Sequence, residues 1–424
     1  MRVLLIGSGG REHALAMKIA ESKKLKNLYI LPGNPGTALI GENIDHDISD
    51  HNTIATFCVE NIIDLVVIGP EQPLVEGLAN VLRENKIKVF GPDKEAAEIE
   101  AHKSFAKAIM KSAGVPTANY IQFSSKMFNT AKEYLKSKKY PCVVKADGLA
   151  EGKGVYVCSD FNQADDALRS IFIDKVFGSS GDKVLIEEFL EGEEASVFAV
   201  TDGQEFICLP ASQDHKRIGE NDTGKNTGGM GAYAPALIVT DSLMEEIKIK
   251  IIQPTLQTLS EGNKKFIGCL YVGLMITKEG PKVVEFNCRF GDPEAQAVLP
   301  LVKGDFLELL YSAAIGKLNK QSIEFSGGSS VCVVAASLGY PDEYEKGFEI
   351  SGLDNLPENI IVFHAGTREE KGKILTSSGR VLGVTAVNPV NDLFSTKDMV
   401  YKAMSKINFG NMYYRNDIGN KGLR

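Results

Sequence analysis

Apolar and polar positions alternate in blocks over the first hundred residues. Short apolar runs at 3–6, 28–31, 65–68 and 89–90 are separated by stretches with helical spacing, the clearest at 11–22. Strands without an in/out alternation, interleaved with helices, predict a parallel sheet covered on both faces. The runs end in glycine or proline turns: Gly33-Asn34-Pro35-Gly36, Gly69-Pro70-Glu71 and Gly91-Pro92. Ligands of such sheets sit at the carboxyl ends of the strands, so this edge is a candidate site. From residue 101 the pattern changes. A helix over 103–112 stops at Gly114 with Pro116 beyond it. Strand, glycine loop and strand follow at 141–158, then strand-like runs at 183–186, 195–210 and 266–286, with a polar loop at 211–231. An apolar run at 330–337, a glycine-rich β segment at 360–388 and a helix near 396–407 close the chain. The fold class expected is multidomain: parallel α/β first, α+β in the centre, mixed β/α at the end.

The chain has 424 residues, enough for about two to four domains. With 43% hydrophobic and 24% charged residues it reads as globular, not disordered or coiled-coil. A net charge of −8 argues against a broad basic surface for nucleic acid but leaves room for a local basic pocket. No apolar run is long enough to span a membrane, and the N-terminal MRVLLIG is too short for a signal peptide. Seven cysteines without a C-x-x-C pair fit reduced thiols in a cytoplasmic protein, and the six histidines show no zinc spacing.

Five segments carry chemistry. Gly7-Ser8-Gly9-Gly10-Arg11-Glu12 follows a strand and opens a helix, a place for a phosphate or carboxylate. The third fingerprint glycine is replaced by Glu12 and the acidic residue at the end of strand two is missing, which disfavours a nicotinamide cofactor. Lys145 to Gly154 is a glycine-rich loop between strands, without Walker A spacing. Its backbone N–H groups can cover phosphates, and Lys145 can set a positive charge on them. Glu187, Glu188 and Leu190 lie where a strand leaves a core and can offer backbone groups to a base. On a strand, Glu285, Asn287 and Arg289 share a face; the first two are hard ligands for Mg²⁺ and Arg289 can clamp a carboxylate or phosphoryl group. Val284, Phe286 and Cys288 should pack on the other face. The segment 213–231 is dense in charge, amides and glycine, as in a ligand loop.

In this order the glycine loop, the acidic hinge and E-x-N-x-R resemble the ATP-grasp superfamily. The closer resemblance is to the phosphoribosylamine–glycine ligase (glycinamide ribonucleotide synthetase) family. It is carried by GSGGREHALA at 7–16, PGNPGTA at 32–38, GPEQPLVEGL at 69–78, VVKADGLAEGKGV at 143–155, SQDHKRIGENDTGKNTGGMGAY at 212–233, VVEFNCRFGDPEAQAVLP at 283–300 and VFHAGT at 362–367. The resemblance implies an N-terminal substrate domain over 1–102, an ATP-grasp unit over 103–327 with a small lobe inserted at roughly 117–192, and a C-terminal domain over 328–424. It implies an enzyme of purine biosynthesis that joins glycine to 5-phosphoribosylamine through a glycyl phosphate. The substrates would be small molecules, with ATP as co-substrate and Mg²⁺ or Mn²⁺ as metal. No nucleic acid or membrane is expected as partner, and the chain is expected as a monomer or weak homodimer.

By the same resemblance, Lys103, Lys145, Gly148, Gly152, Lys153, Gly154, Glu187, Glu188, Leu190 and Glu194 bind the nucleotide, and Glu285 and Asn287 hold the metal. Gly9, Gly10, Arg11, Asn34, Glu71, Asp214, Lys216, Asn226, Thr227, Gly228, Arg289 and Asp292 meet the substrates, with Arg289 and Lys145 catalytic. The alternative is another ATP-grasp carboxylate–amine ligase, or a carboxylase, with a different acceptor. The stretch 272–276, where many such enzymes place a further metal carboxylate, has none.

Overall fold

The computed structural model describes residues 1–150 and 153–423; Gly152 lies outside the described residues. Five parallel strands form the N-terminal sheet, in the order Glu42–Asn43, Asn27–Pro32, Arg2–Gly7, Leu65–Ile68, Val89–Phe90. Successive side chains of a strand point to opposite faces. Leu4 and Ile6 accordingly enter one core, Val3 and Leu5 another. The central antiparallel sheet runs Phe206–Cys208, Glu193–Thr201, Gly268–Thr277, Gly280–Asn287 and is shared in the same way. Val197, Leu270 and Val272 join the core of Leu4, whereas Phe198, Val200 and Tyr271 join that of Val3. The two sheets are thus welded through both faces.

A smaller lobe carries its own core of Phe123, Leu135, Val144, Leu168 and Ile186. Its sheet runs Tyr120–Ser124, Lys183–Glu188, Cys142–Ala146, Val155–Cys158, all antiparallel, and the glycine loop joins the last two strands. The helix Lys103–Ala113 leads into the lobe and ends on Gly114, whose φ of +66° is the left-handed turn that glycine adopts without strain.

The C-terminal sheet corrects the sequence reading. Segment 211–231 is not a plain loop. It contains Gln213–Asp214, Arg217–Gly219 and Thr223–Asn226, and the strand Gly231–Ala234 begins at its end. Gln213–Asp214 and Gly231–Ala234 are hydrogen-bonded into the C-terminal sheet, beside Ser329–Ser337, Arg380–Asn388 and Ile360–His364. Strands this short and this polar leave no two-residue period to read. The last helix is Leu393–Met404, three residues earlier than expected, because Asp392 caps it by accepting from the Ser395 N–H at 3.0 Å. All seven cysteines are buried free thiols. No helix among the described residues is long and apolar enough to cross a membrane.

Arg415 fastens the tail to this arrangement. It is fully buried, pairs with Asp222 at 3.0 Å and Asp417 at 2.7 Å, and donates to the Arg217 carbonyl at 2.8 Å. Arg415→Ala leaves Asp417 without its cation, while Asp222 keeps Lys421 at 2.6 Å; it should cost about 3 kcal/mol, read as a lower urea midpoint. A loss below ~1 kcal/mol would place the pairs with ordinary surface ones.

Candidate active site

Two polar clusters flank the central sheet. The first faces the small lobe. Lys145 is the last residue but one of the strand Cys142–Ala146, is 6% exposed, and lies 3.0 Å from Glu187 Oε2. It also donates to the Val284 carbonyl at 3.3 Å, which joins the small lobe to the strand carrying Glu285. Lys103 opens its helix and donates to the Gly148 carbonyl at 3.0 Å. Asp147 anchors the same loop, accepting from the Ser104 N–H at 2.6 Å and the Ser104 hydroxyl at 3.0 Å. Gly148 and Gly154 allow close approach: a Cβ at Gly148 would sit 2.7 Å from the Ser180 Cα, and one at Gly154 2.8 Å from the Ala150 Cβ. Lys153 follows on the described part of the loop, where its N–H donates to the Ala150 carbonyl.

Glu285 is the centre of this cluster. Lys216 above all, then Lys145 and Lys103, hold its carboxyl down to about 2 against the effect of burial. Lys216 bridges Glu285 at 3.4 Å and Glu194 at 3.2 Å, and these acids keep its ammonium charged despite burial. Asn287 stands two residues on along the same strand, half-buried. Glu188 accepts from the Asn119 N–H at 2.9 Å and side-chain amide at 3.1 Å, and Leu190 follows beyond the strand end.

Two expectations for this strand change. Pairing with Gly268–Thr277 shifts register between Leu274↔Val283 and Gly273↔Glu285, so Val284 bulges out and is only half-buried. A bulge re-aims the residues next to it, here Glu285. The strand ends at Asn287, so the shared-face argument does not reach Arg289.

Arg289 belongs to the second cluster. Its guanidinium meets Glu71 at 3.1 Å and Glu100 at 2.9 Å. Burial works to raise the Glu71 carboxyl, but Arg289 and Arg11 outweigh it and hold it at about 2. Arg11 donates to the Phe290 carbonyl at 3.1 Å. The helix start at Gly9 and Gly10 is not open to an anion on every N–H: the Gly9 N–H donates to Glu12 at 2.7 Å. The Glu12 side chain lies where side chains at Gly7 and Gly69 would otherwise be: its Cγ is 2.5 Å from the Cβ position of Gly7, and its carboxylate oxygen is closer still to that of Gly69. Asn34 donates to the Ser8 carbonyl at 2.8 Å and the His364 carbonyl at 2.9 Å, tying the N-terminal unit to the C-terminal one. Asp292 accepts from Gln296 at 2.7 Å and pairs with Arg380 at 3.2 Å. Arg380 also holds the Gly228 carbonyl at 2.7 Å. Asn226 and Thr227 are committed to the loop: Asn226 pairs with Arg217, and the Thr227 hydroxyl donates to the Lys216 carbonyl at 2.8 Å.

Asp214 lies between the clusters. Burial pushes its carboxyl well above the usual carboxylate range, with Lys216 opposing and Glu294, Glu194 and Glu285 reinforcing. Glu294 acts on Arg289 as well, so it links the two sides. Sequence reading did not assign Glu294, Ser196, Tyr271, Glu100 or Arg380. Ser196 and Tyr271 share a 2.9 Å hydrogen bond beneath Glu294. The available signal for these two was a hydroxyl inside the apolar stretch of each strand, Ser196 in 195–200 and Tyr271 in 269–276.

A glycine loop on a small antiparallel lobe, anchored at Lys103 and set against the Glu285 strand of a larger sheet, defines the ATP-grasp class of enzymes. Within it, the chain belongs to the phosphoribosylglycinamide synthetase family. The family's N domain matches residues 1–100, its ATP-grasp (A) domain 101–295 and its C domain 330–421. The chain is 46% identical over 427 residues to a phosphoribosylamine–glycine ligase of Leptospira interrogans, covering 100% of this chain and 99% of the relative. It is 44% identical over 418 residues to that of Caldanaerobacter subterraneus, covering 99% of each. The crystal structure of phosphoribosylamine–glycine ligase from Thermotoga maritima superposes with a TM-score of 0.84 at 33% identity, over 99% of this chain and 100% of that one.

Proposed function

We propose that this enzyme joins glycine to 5-phosphoribosylamine, converting ATP to ADP and phosphate. A free carboxylate is a poor acyl donor because its leaving group would be oxide. A glycine carboxylate oxygen attacks the terminal phosphorus of ATP, the bond to ADP breaks, and glycyl phosphate forms. The amine of phosphoribosylamine then attacks the acyl carbon, phosphate leaves, and the amine loses a proton. Such chemistry asks the protein mainly for positioning and charge neutralisation.

The observation that carries the reading is the convergence of Lys103, Lys145 and Lys216 on Glu285. In this reading Lys103 and Lys145 take the phosphates, under the loop of Gly148, Lys153 and Gly154. Backbone groups of Glu188 and Leu190 meet the base, and Glu194 meets the ribose. Glu187 acts through Lys145. The oxygens of Glu285 and Asn287 suit a hard divalent ion, Mg²⁺ or Mn²⁺, with phosphate oxygens and water as its remaining ligands. That ion would neutralise charge on the transferring phosphoryl group. Asp214 takes the ammonium of glycine, and Arg289 its carboxylate and the phosphoryl group. Gly9, Gly10, Arg11, Asn34, Glu71 and Asp292 form the phosphoribosylamine side, with Asn226, Thr227 and Gly228 bordering it.

ADP release should require glycine and phosphoribosylamine together. Omitting each substrate in turn tests this. Turnover indifferent to glycine, or dependent on bicarbonate, would overturn it.

A further inference from the structure

Three buried charges stand in a row behind the glycine loop. Lys107 is 2% exposed, Glu187 3% and Lys145 6%. Lys107 lies one helical turn after Lys103, on the inner face of Lys103–Ala113. Its ammonium is 3.2 Å from Glu187 Oε1, while Lys145 is 3.0 Å from Oε2 of the same carboxylate. The contact between Lys107 and Glu187 is an ion pair short of hydrogen-bond alignment: among the described residues Glu187 Oε1 has no hydrogen-bond partner. The hydrogen bonds of Lys107 go instead to Thr117 Oγ1 at 2.8 Å and the Ala118 carbonyl at 3.3 Å, with the Tyr120 ring 5.2 Å away. Thr117 in turn donates to the Val283 carbonyl at 2.7 Å, on the strand that carries Glu285.

A buried ammonium is costly unless paired, and an apolar residue in such a place often serves stability as well or better. Two charges alone, Lys145 and Glu187, would make a closed and neutral pair. Lys145 would be fixed, but with its attraction for an anion cancelled. A second lysine on the far oxygen changes the sum to one net positive charge while keeping Lys145 held. We propose that Lys107 is a positioning residue for the nucleotide site: it shares Glu187 with Lys145, so that Lys145 is both anchored and left with net charge to offer a polyphosphate. This rests on the reading of Lys145 as a phosphate ligand.

The arrangement carries a pH signature. Burial lowers the Lys107 ammonium to about 8, against the pull of Glu187. The charged and titratable groups around it are Lys103 on its own helix, Lys145 on the next strand, Glu187 and Glu188 on Lys183–Glu188, and the Tyr120 phenol. Above about pH 8 Lys107 loses its proton, the trio becomes neutral, and attraction for the nucleotide falls.

The test is KM for ATP and kcat of the full chain between pH 7 and 9. For the wild type KM should rise across this window. Lys107→Met should raise KM about tenfold at pH 7, the scale of one partly screened charge, with a smaller fall in kcat and no further rise with pH. Lys107→Arg, which stays protonated, should keep KM low and flat to pH 9. A Lys107→Met enzyme with wild-type KM at pH 7 would overturn the proposal. If that variant does not fold, a Lys107→Arg enzyme that keeps the wild-type rise would overturn it equally. A Lys145→Ala chain that binds ATP as tightly as the wild type would remove the underlying reading instead, and this proposal with it.

Discussion

Lys145→Ala should lower kcat by about 10²-fold or more, the usual scale for losing a preorganised charge at a developing phosphoryl transition state. The expectation follows from placement. Lys145 is nearly sealed from solvent, fixed by Glu187 and by the Val284 carbonyl, and close enough to Glu285 to depress its carboxyl. A charge held this way needs no rearrangement when the phosphoryl group moves. Removing it leaves Glu187 paired with Lys107, so the small-lobe core of Val144, Ile186 and Leu168 should persist and the loss should fall on rate. Steady-state ADP release with both substrates saturating, alongside a thermal melt, separates the two. A folded variant with a near-normal rate would take Lys145 out of the chemistry.

Glu285→Gln should be as severe, for a different reason. The amide keeps the shape of the side chain but removes the one negative charge that Lys216, Lys145 and Lys103 jointly face. Three ammonium groups then lose a shared counter-ion, although Glu187 stays beside Lys145 and Glu194 beside Lys216; in the proposed reading the metal also loses its charged ligand, leaving the oxygen of Asn287 and those of the nucleotide. A fall in kcat of roughly 10²–10³-fold is expected, with a clear rise in the Mg²⁺ or Mn²⁺ concentration giving half-maximal rate. Titrating each metal into chelator-treated enzyme measures it. An unchanged metal requirement would remove Glu285 as a ligand and leave it only as a counter-charge to the lysines.

Much of the scaffold could be read from local pattern, because local pattern is what made it. The runs at 3–6 and 65–68 are apolar on both faces, as a doubly covered parallel strand must be, and both lie in the N-terminal sheet. The Gly114 stop was visible for the same reason: a left-handed turn selects glycine. Glu285 and Asn287, two residues apart, fall on one strand as spacing required. What escaped depended on partners distant in sequence. The bulge at Val284 is set by the opposing strand and cannot be inferred from its own residues. Arg289 was aimed by Glu71 and Glu100, more than 180 positions away, rather than by strand alternation. Glu294 carries no local mark, and becomes notable only once Asp214, Tyr271 and Ser196 are folded around it.

The C-terminal sheet takes in Gln213–Asp214 and Gly231–Ala234, strands that precede it by about a hundred residues in the chain. The last stretch of sequence is therefore not an appendage that could be trimmed or exchanged like a tag. Cutting the polypeptide near residue 328 would deprive Gly231–Ala234 of its hydrogen-bonded neighbour Ser329–Ser337 and bare an apolar edge where Tyr233 is now enclosed. Asp214, paired with Ala232, would then rest on a strand that has lost its outer neighbour. Interchange of parts among related enzymes has to respect that seam, and a workable chimera would swap 213–234 together with everything after 328.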